Sequence, residues 1–111
     1  MDTYSILRQA ITEKKPCKIT KIGFNEGPRL ICPHKIGLAP SGKRKVLYYQ
    51  YAGYTRHNLE PDGSDENWRC NFVKNISSVE IIDERWHTGR TYHQGPGSCL
   101  STVDVEIILP K

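Results

Sequence analysis

Only one stretch of this chain has the spacing of an amphipathic helix, and a proline closes it. Ile6, Leu7, Ala10 and Ile11 fall on one face of residues 3–13, and Asp2 or Thr3 can cap the start. Pro16 biases the preceding residue away from helical angles, so the helix is predicted to stop at Lys14–Lys15. So short a helix is marginal alone and must dock its apolar face on other structure. Behind it, nine Gly and seven Pro in a chain of 111 residues break the apolar runs into short pieces. That pattern favours several short strands over further helices.

The strands follow from local alternation. CKITKIGF, residues 17–24, changes parity between Ile19 and Ile22, which predicts a strand with a bulge near Lys21 or Gly23. Residues 25–28 form a turn by composition. Arg29–Pro33 is a second strand, with Pro33 marking its end or an edge position. Residues 39–43 turn the chain into KVLYYQYA, residues 45–52, the strongest strand candidate. There Leu47, Tyr49 and Tyr51 face one side, and Val46, Tyr48 and Gln50 the other.

Residues 53–67 are a polar loop of a length that is often functional or mobile. Strands at 68–73 and 77–83 come next, and 84–101, with Trp86-His87 and Tyr92-His93, is an irregular excursion. Val103, Val105, Ile107 and Leu109 alternate with Asp104 and Glu106, predicting a last strand over 102–109 with the apolar residues inward. One helix and about six strands make a mainly β fold in one domain spanning residues 1–111. A small SH3-like (Sm-like) barrel is the expected form, because closure avoids long exposed edges.

The totals narrow the function. A charged fraction of 25% and a hydrophobic fraction of 37% fit a folded protein. A net charge of +4 is compatible with an anionic partner without amounting to a nucleic-acid footprint. No apolar run approaches the roughly 20 residues of a membrane span, and the N-terminus lacks a signal-peptide core, so a cytoplasmic protein without membrane contact is expected. In that compartment Cys17, Cys32, Cys70 and Cys99 are expected to be free, buried small hydrophobes. Their separations contain no C-x-x-C pair.

R-x-x-x-P-H from Arg29, an aromatic strand ending in Gln50-Tyr51-Ala52-Gly53, Trp68-Arg69-Cys70 and Ile76-Ser77-Ser78-Val79 stand in an order that resembles the WYL-type domains. The resemblance covers about residues 5–82 and includes the N-terminal helix. It implies an SH3-like (Sm-like) barrel that senses ligands, taking nucleotides or nucleic-acid ends on a basic and aromatic surface. By that resemblance Arg29, Tyr49 and Arg69 match the family's ligand contacts. Leu47-Tyr48-Tyr49 stands in place of Trp-Tyr-Leu, which leaves Tyr48 as the alternative pocket residue. Asn71 and Asn75 stand where the family often has an aromatic and a basic residue, and these 111 residues contain no helix-turn-helix.

From the residues themselves, Arg29 and Arg69 are candidate anion contacts, since a guanidinium fork meets a phosphate or carboxylate bidentately. The bland alternative is a pair of surface arginines screened beside Glu26 or Glu66. Tyr48, Tyr49, Tyr51 and Trp68 are candidates for a base-stacking platform, or for core packing. Lys43, Arg44 and Lys45 form an auxiliary basic run at a turn, able to steer a polyanion or simply solvated.

His34, His57, His87 and His93, with Cys32 and Cys99, lack metal-ligand spacing, so no metal and no cofactor is expected. No motif brings a nucleophile and a base together, so no enzyme activity is expected either. The reading is a non-catalytic sensor of a phosphate-bearing ligand, a nucleotide or a short single-stranded nucleic acid. A protein-interaction adaptor and a nucleotide-sequestering accessory protein are the alternatives, and the expected state is a monomer or a homodimer, the latter through an exposed edge strand.

Overall fold

A computed structural model describes residues 2–22, 27–55, 58–96 and 99–108. Asp2 caps the helix α1 (Thr3–Glu13) by accepting a 2.8 Å hydrogen bond from the Ser5 amide. Lys14 ends it in the left-handed conformation with its amide turned back to Ala10 and Ile11, two residues before Pro16. The helix buries Leu7, Ala10 and Ile11, as its spacing predicts, whereas Ile6 is only half-buried.

Six strands follow: β1 (Cys17–Lys21), β2 (Arg29–Leu38), β3 (Arg44–Gly53), β4 (Trp68–Phe72), β5 (Ile76–Ile81) and β6 (Thr102–Glu106). All pairings are antiparallel, in the order β4-β3-β2-β1-β5, with β6 attached to β2. The mainly β class stands. The sheet is not closed, however, since no ladder joins its end strands β4 and β5 among the described residues, and the expectation of a closed barrel is corrected accordingly. The described residues contain no helix long and apolar enough to cross a membrane.

β2 organises the sheet because its two edges are used differently. One edge pairs with β3 along its whole length, while the other takes β1 at Arg29–Ile31 and β6 at Lys35–Leu38. Pro33 neither ends the strand nor sits at a sheet edge. It falls where β2 passes from β1 to β6 and where its register against β3 slips, so the missing amide is absorbed at an irregularity. The bulge predicted in β1 falls in β5 instead: Thr20 pairs with Ser78 and Lys21 with Ile76, which leaves Ser77 as the extra residue, and beyond this point Ile22 is exposed. The expected continuation of β1 to Phe24 and the inward Leu109 lie outside the described residues.

Val46 and Tyr48 of β3 join Ile19, Ile31, Ile36, Val73, Ile76 and Ile107 in the core beneath α1. The predicted inward alternation fails at Val103, which is 43% exposed; among the described residues of this segment Val105 of β6 and Ile107 just beyond it reach that core. Gly37 permits the closest approach of β2 to β6. A methyl group there would lie 1.9 Å from the Thr102 carbonyl oxygen and 2.9 Å from the Val103 Cα, both backbone atoms. Gly37→Ala is therefore expected to loosen β6 and destabilise the protein by roughly 1–3 kcal/mol. Hydrogen exchange of the β6 amides, accelerated ahead of those in β3, is the check.

The second face of β3, carrying Leu47 and Tyr49, lies under described residues of the irregular segment after β5, where Gly95 sits against Leu47 and Trp68. This cover is fastened by a disulfide between Cys70 and Cys99, which overturns the expectation of four free thiols. Cys17 and Cys32 are free and buried, as expected of them.

Candidate functional site

The two faces of β3 send the predicted site residues to two different places. Tyr48 opposes Arg69 across β3 and β4, and Val46 opposes Asn71, so these four share the face turned toward α1. The Tyr48 hydroxyl hydrogen-bonds the Asn71 amide. Burial raises the Tyr48 phenol above its usual value, against the opposing pull of Arg29, Asn71 and Arg69. Both arginines thus bear on one buried hydroxyl from neighbouring strands.

Arg29 is not a surface residue. It is 5% exposed, donates from Nη1 to Gln50 Oε1 at 3.2 Å and lies 5.6 Å from the Tyr54 ring centroid. Gln50 in turn donates to the carbonyls of Ala52 and Tyr54, which fixes the acceptor it presents to the arginine. Arg69 is half-buried and donates from Nη1 to the carbonyls of Glu66 and Trp68, at 2.6 and 3.0 Å. Among the described residues no hydrogen bond takes its Nε–Nη2 edge. Arg69 also lines a solvent-open groove with Asn58, Glu60 and Glu66.

The other face holds an aromatic cluster. Trp68 meets Tyr49 and His34 edge-on, with centroids 5.2 and 4.6 Å apart, and Trp86 closes on His34 at 4.7 Å. Tyr48 and Tyr49 are both fully buried, so neither offers an open face to a base, and the expected stacking platform does not form from them. Tyr49 is a loop anchor: its hydroxyl accepts from the Gly63 amide at 2.7 Å and from Asn67 Nδ2 at 3.3 Å. Tyr51 stacks on His87 at 3.8 Å and donates to Glu84 at 2.7 Å. Trp68 donates its indole N–H to Asp65.

Asn67 and Asp65 carry no recognisable sequence signal, yet they position the groove wall. Buried Asn67 accepts from the Glu60 amide and donates to the Glu60 carbonyl, so the long loop is held across its base. Asp65 accepts from the amides of Thr91 and Tyr92 as well as from Trp68, tying that loop to the cover over Tyr49. Desolvation is the largest single influence and raises its carboxyl, but the hydrogen bonds from Thr91, Trp68 and Tyr92 together hold it below the usual value. A polar run between turn formers reads as surface loop, and only the fold reveals that its asparagine and aspartate point inward.

The basic run divides. Arg44 pairs with Asp104 at 3.3 Å and lies over the Tyr4 ring, while Lys43 and Lys45 turn to Phe72. Of the histidines, His34 is fully buried, with Nδ1 2.7 Å from the Cys32 carbonyl and Nε2 3.1 Å from the Thr88 hydroxyl. Because a carbonyl only accepts, Nδ1 carries the proton. His87 Nδ1 lies 2.9 Å from Asp62, and His57 is outside the described residues. Among the described residues no group of three or more His, Cys, Asp or Glu side chains is arranged to hold a metal ion. Neither protein-family models, nor curated proteins, nor solved structures provide a match to the chain.

Proposed function

We propose that this protein is a non-catalytic binding module for a phosphate-bearing ligand of nucleotide type, related in design to the WYL-like, Sm-like ligand sensors. The observation that carries the reading is Arg69: a half-buried guanidinium on a strand, lining a groove, with its Nε–Nη2 edge unspent among the described residues. A planar fork of this kind suits two oxygens of a phosphate, and its placement on β4 limits the entropy lost on binding. Arg29 adds a second positive charge behind Tyr48. Glu60 and Glu66 on the same groove supply acceptors for the hydroxyls and amino groups of a ribose and base.

Cys32 argues for binding over catalysis. Its thiol is buried, accepts from the His87 amide and is pushed up to about 12 by desolvation. A protonated thiol in such a setting is a poor nucleophile.

The test is thermal unfolding of the intact protein with and without nucleoside mono-, di- and triphosphates. A ligand at 100 times its dissociation constant adds about 2.7 kcal/mol to the native state, a shift of several degrees. Arg69→Ala should abolish that shift, and Arg69→Lys, which keeps the charge and loses the fork, should retain only a minor part of it. An unchanged shift in Arg69→Ala, or none in the native protein, would sink the reading and leave the adaptor alternative.

A further inference from the structure

We propose that Lys43, Lys45, Lys74 and Phe72 form a second, separate surface that binds single-stranded nucleic acid. The three ammonium groups lie 6.0, 4.6 and 5.9 Å from the centroid of the one Phe72 ring. They come from three places in the chain: the turn before β3, β3 itself and the 3-10 turn after β4. Among the described residues none of the three has a carboxylate within ion-pair distance, whereas neighbouring Arg44 is neutralised by Asp104. Lys43 and Lys74 crowd each other closely enough that Lys74 is held below its usual value, first by the contact with Lys43 and then by its charge.

Like charges gathered this way are unfavourable unless something negative is near. The ammoniums lie over the Phe72 ring, whose face carries negative potential. A phosphate diester would draw them outward and so uncover that ring face for a base. Backbone charge and stacking would then be engaged together, the combination that single strands offer and duplexes do not. Among the described residues the exposed large apolar side chains, Ile22, Tyr54, Tyr92, Val103 and Ile108, do not include a sequence neighbour of the three lysines, so no exposed apolar side chain beside them in the sequence favours a bilayer. An acidic peptide would use the lysines and leave the ring idle.

Lys45 and Phe72 oppose each other on the face of β3 and β4 that carries Leu47 and Cys70, opposite the face of Tyr48 and Arg69. The surface is therefore independent of the nucleotide groove. The experiment is fluorescence anisotropy with a labelled oligo-dT of about 15 nucleotides, titrated with the intact protein over a series of salt concentrations. Replacing all three lysines by alanine should weaken binding at low salt and reduce the slope of log K against log salt by about 2. Phe72→Leu should weaken binding about tenfold with the slope unchanged, the mark of lost stacking. The triple variant should keep the nucleotide-induced thermal shift that depends on Arg69, which separates failure of this proposal from failure of the groove. No binding of the oligonucleotide, the same slope in the triple variant, or equal binding of a labelled polyglutamate of the same length would overturn it.

Discussion

Reduction of the Cys70–Cys99 disulfide is expected to lower the unfolding free energy by about 3.5 kcal/mol. The bridge joins cysteines 29 residues apart, and closing a loop of that size in the unfolded chain accounts for the figure on the chain-entropy model. The loss should exceed what the loop alone predicts if the cover detaches, because Gly95 lies against Leu47 and Trp68 on the face it protects. Cys70→Ser with Cys99→Ser, followed by urea unfolding, measures the change. A difference below about 1 kcal/mol would show that the bridge does not constrain the unfolded chain. Thiol titration of the native protein adds a second reading: Cys17 and Cys32, buried and pushed up to about 12, should react only after unfolding.

Acidification from pH 7 to pH 4 should cost about 3 kcal/mol through His34 alone. Burial between Trp68 and Trp86 lowers its value to about 4, although the Cys32 carbonyl pulls the other way. In the unfolded chain the same imidazole takes its proton near pH 6.5. Between those two values the unfolded state binds more protons, so stability is fully present above about 6.5 and drains away as pH falls toward 4. Asp2 and Asp65, held below their ordinary value, contribute a further loss only at lower pH. Urea midpoints measured across this range should fall steeply in the native protein and flatten in His34→Gln. A slope unchanged in that variant would show that His34 is not the titrating group.

Much of the fold could be read from local pattern. The helix announces itself through its apolar spacing and its proline, and β3 through a run of β-branched and aromatic residues. What failed were inferences that needed tertiary partners. Pro33 reads as a stop, because nothing local shows that β2 changes partner there. Val103 alternates like an inward residue, yet among the described residues of that segment it is Val105 and Ile107 that reach the core. Cys70 and Cys99 have no spacing motif, and their pairing arises from the path of an irregular segment.

The candidate site shows the same division. Arg69 was legible as an arginine on a strand, and the structure places it on β4 at the wall of an open groove. The aromatic residues were legible as a group but not by role, since alternation tells which residues share a face without telling which face is covered. Tyr49 and Trp68 proved to be packing partners under the disulfide-bound segment, and Phe72, inconspicuous in the sequence, became the centre of three lysines.

The measurement that bears most directly on ligand binding is an amide chemical-shift titration of the labelled protein with a nucleoside monophosphate. The account predicts saturable shifts at Asn58, Glu60, Glu66, Arg69 and Asn71, with Lys43, Lys45 and Lys74 unmoved. Shifts confined to the lysine surface, or absent altogether, would contradict the assignment of the groove at Arg69.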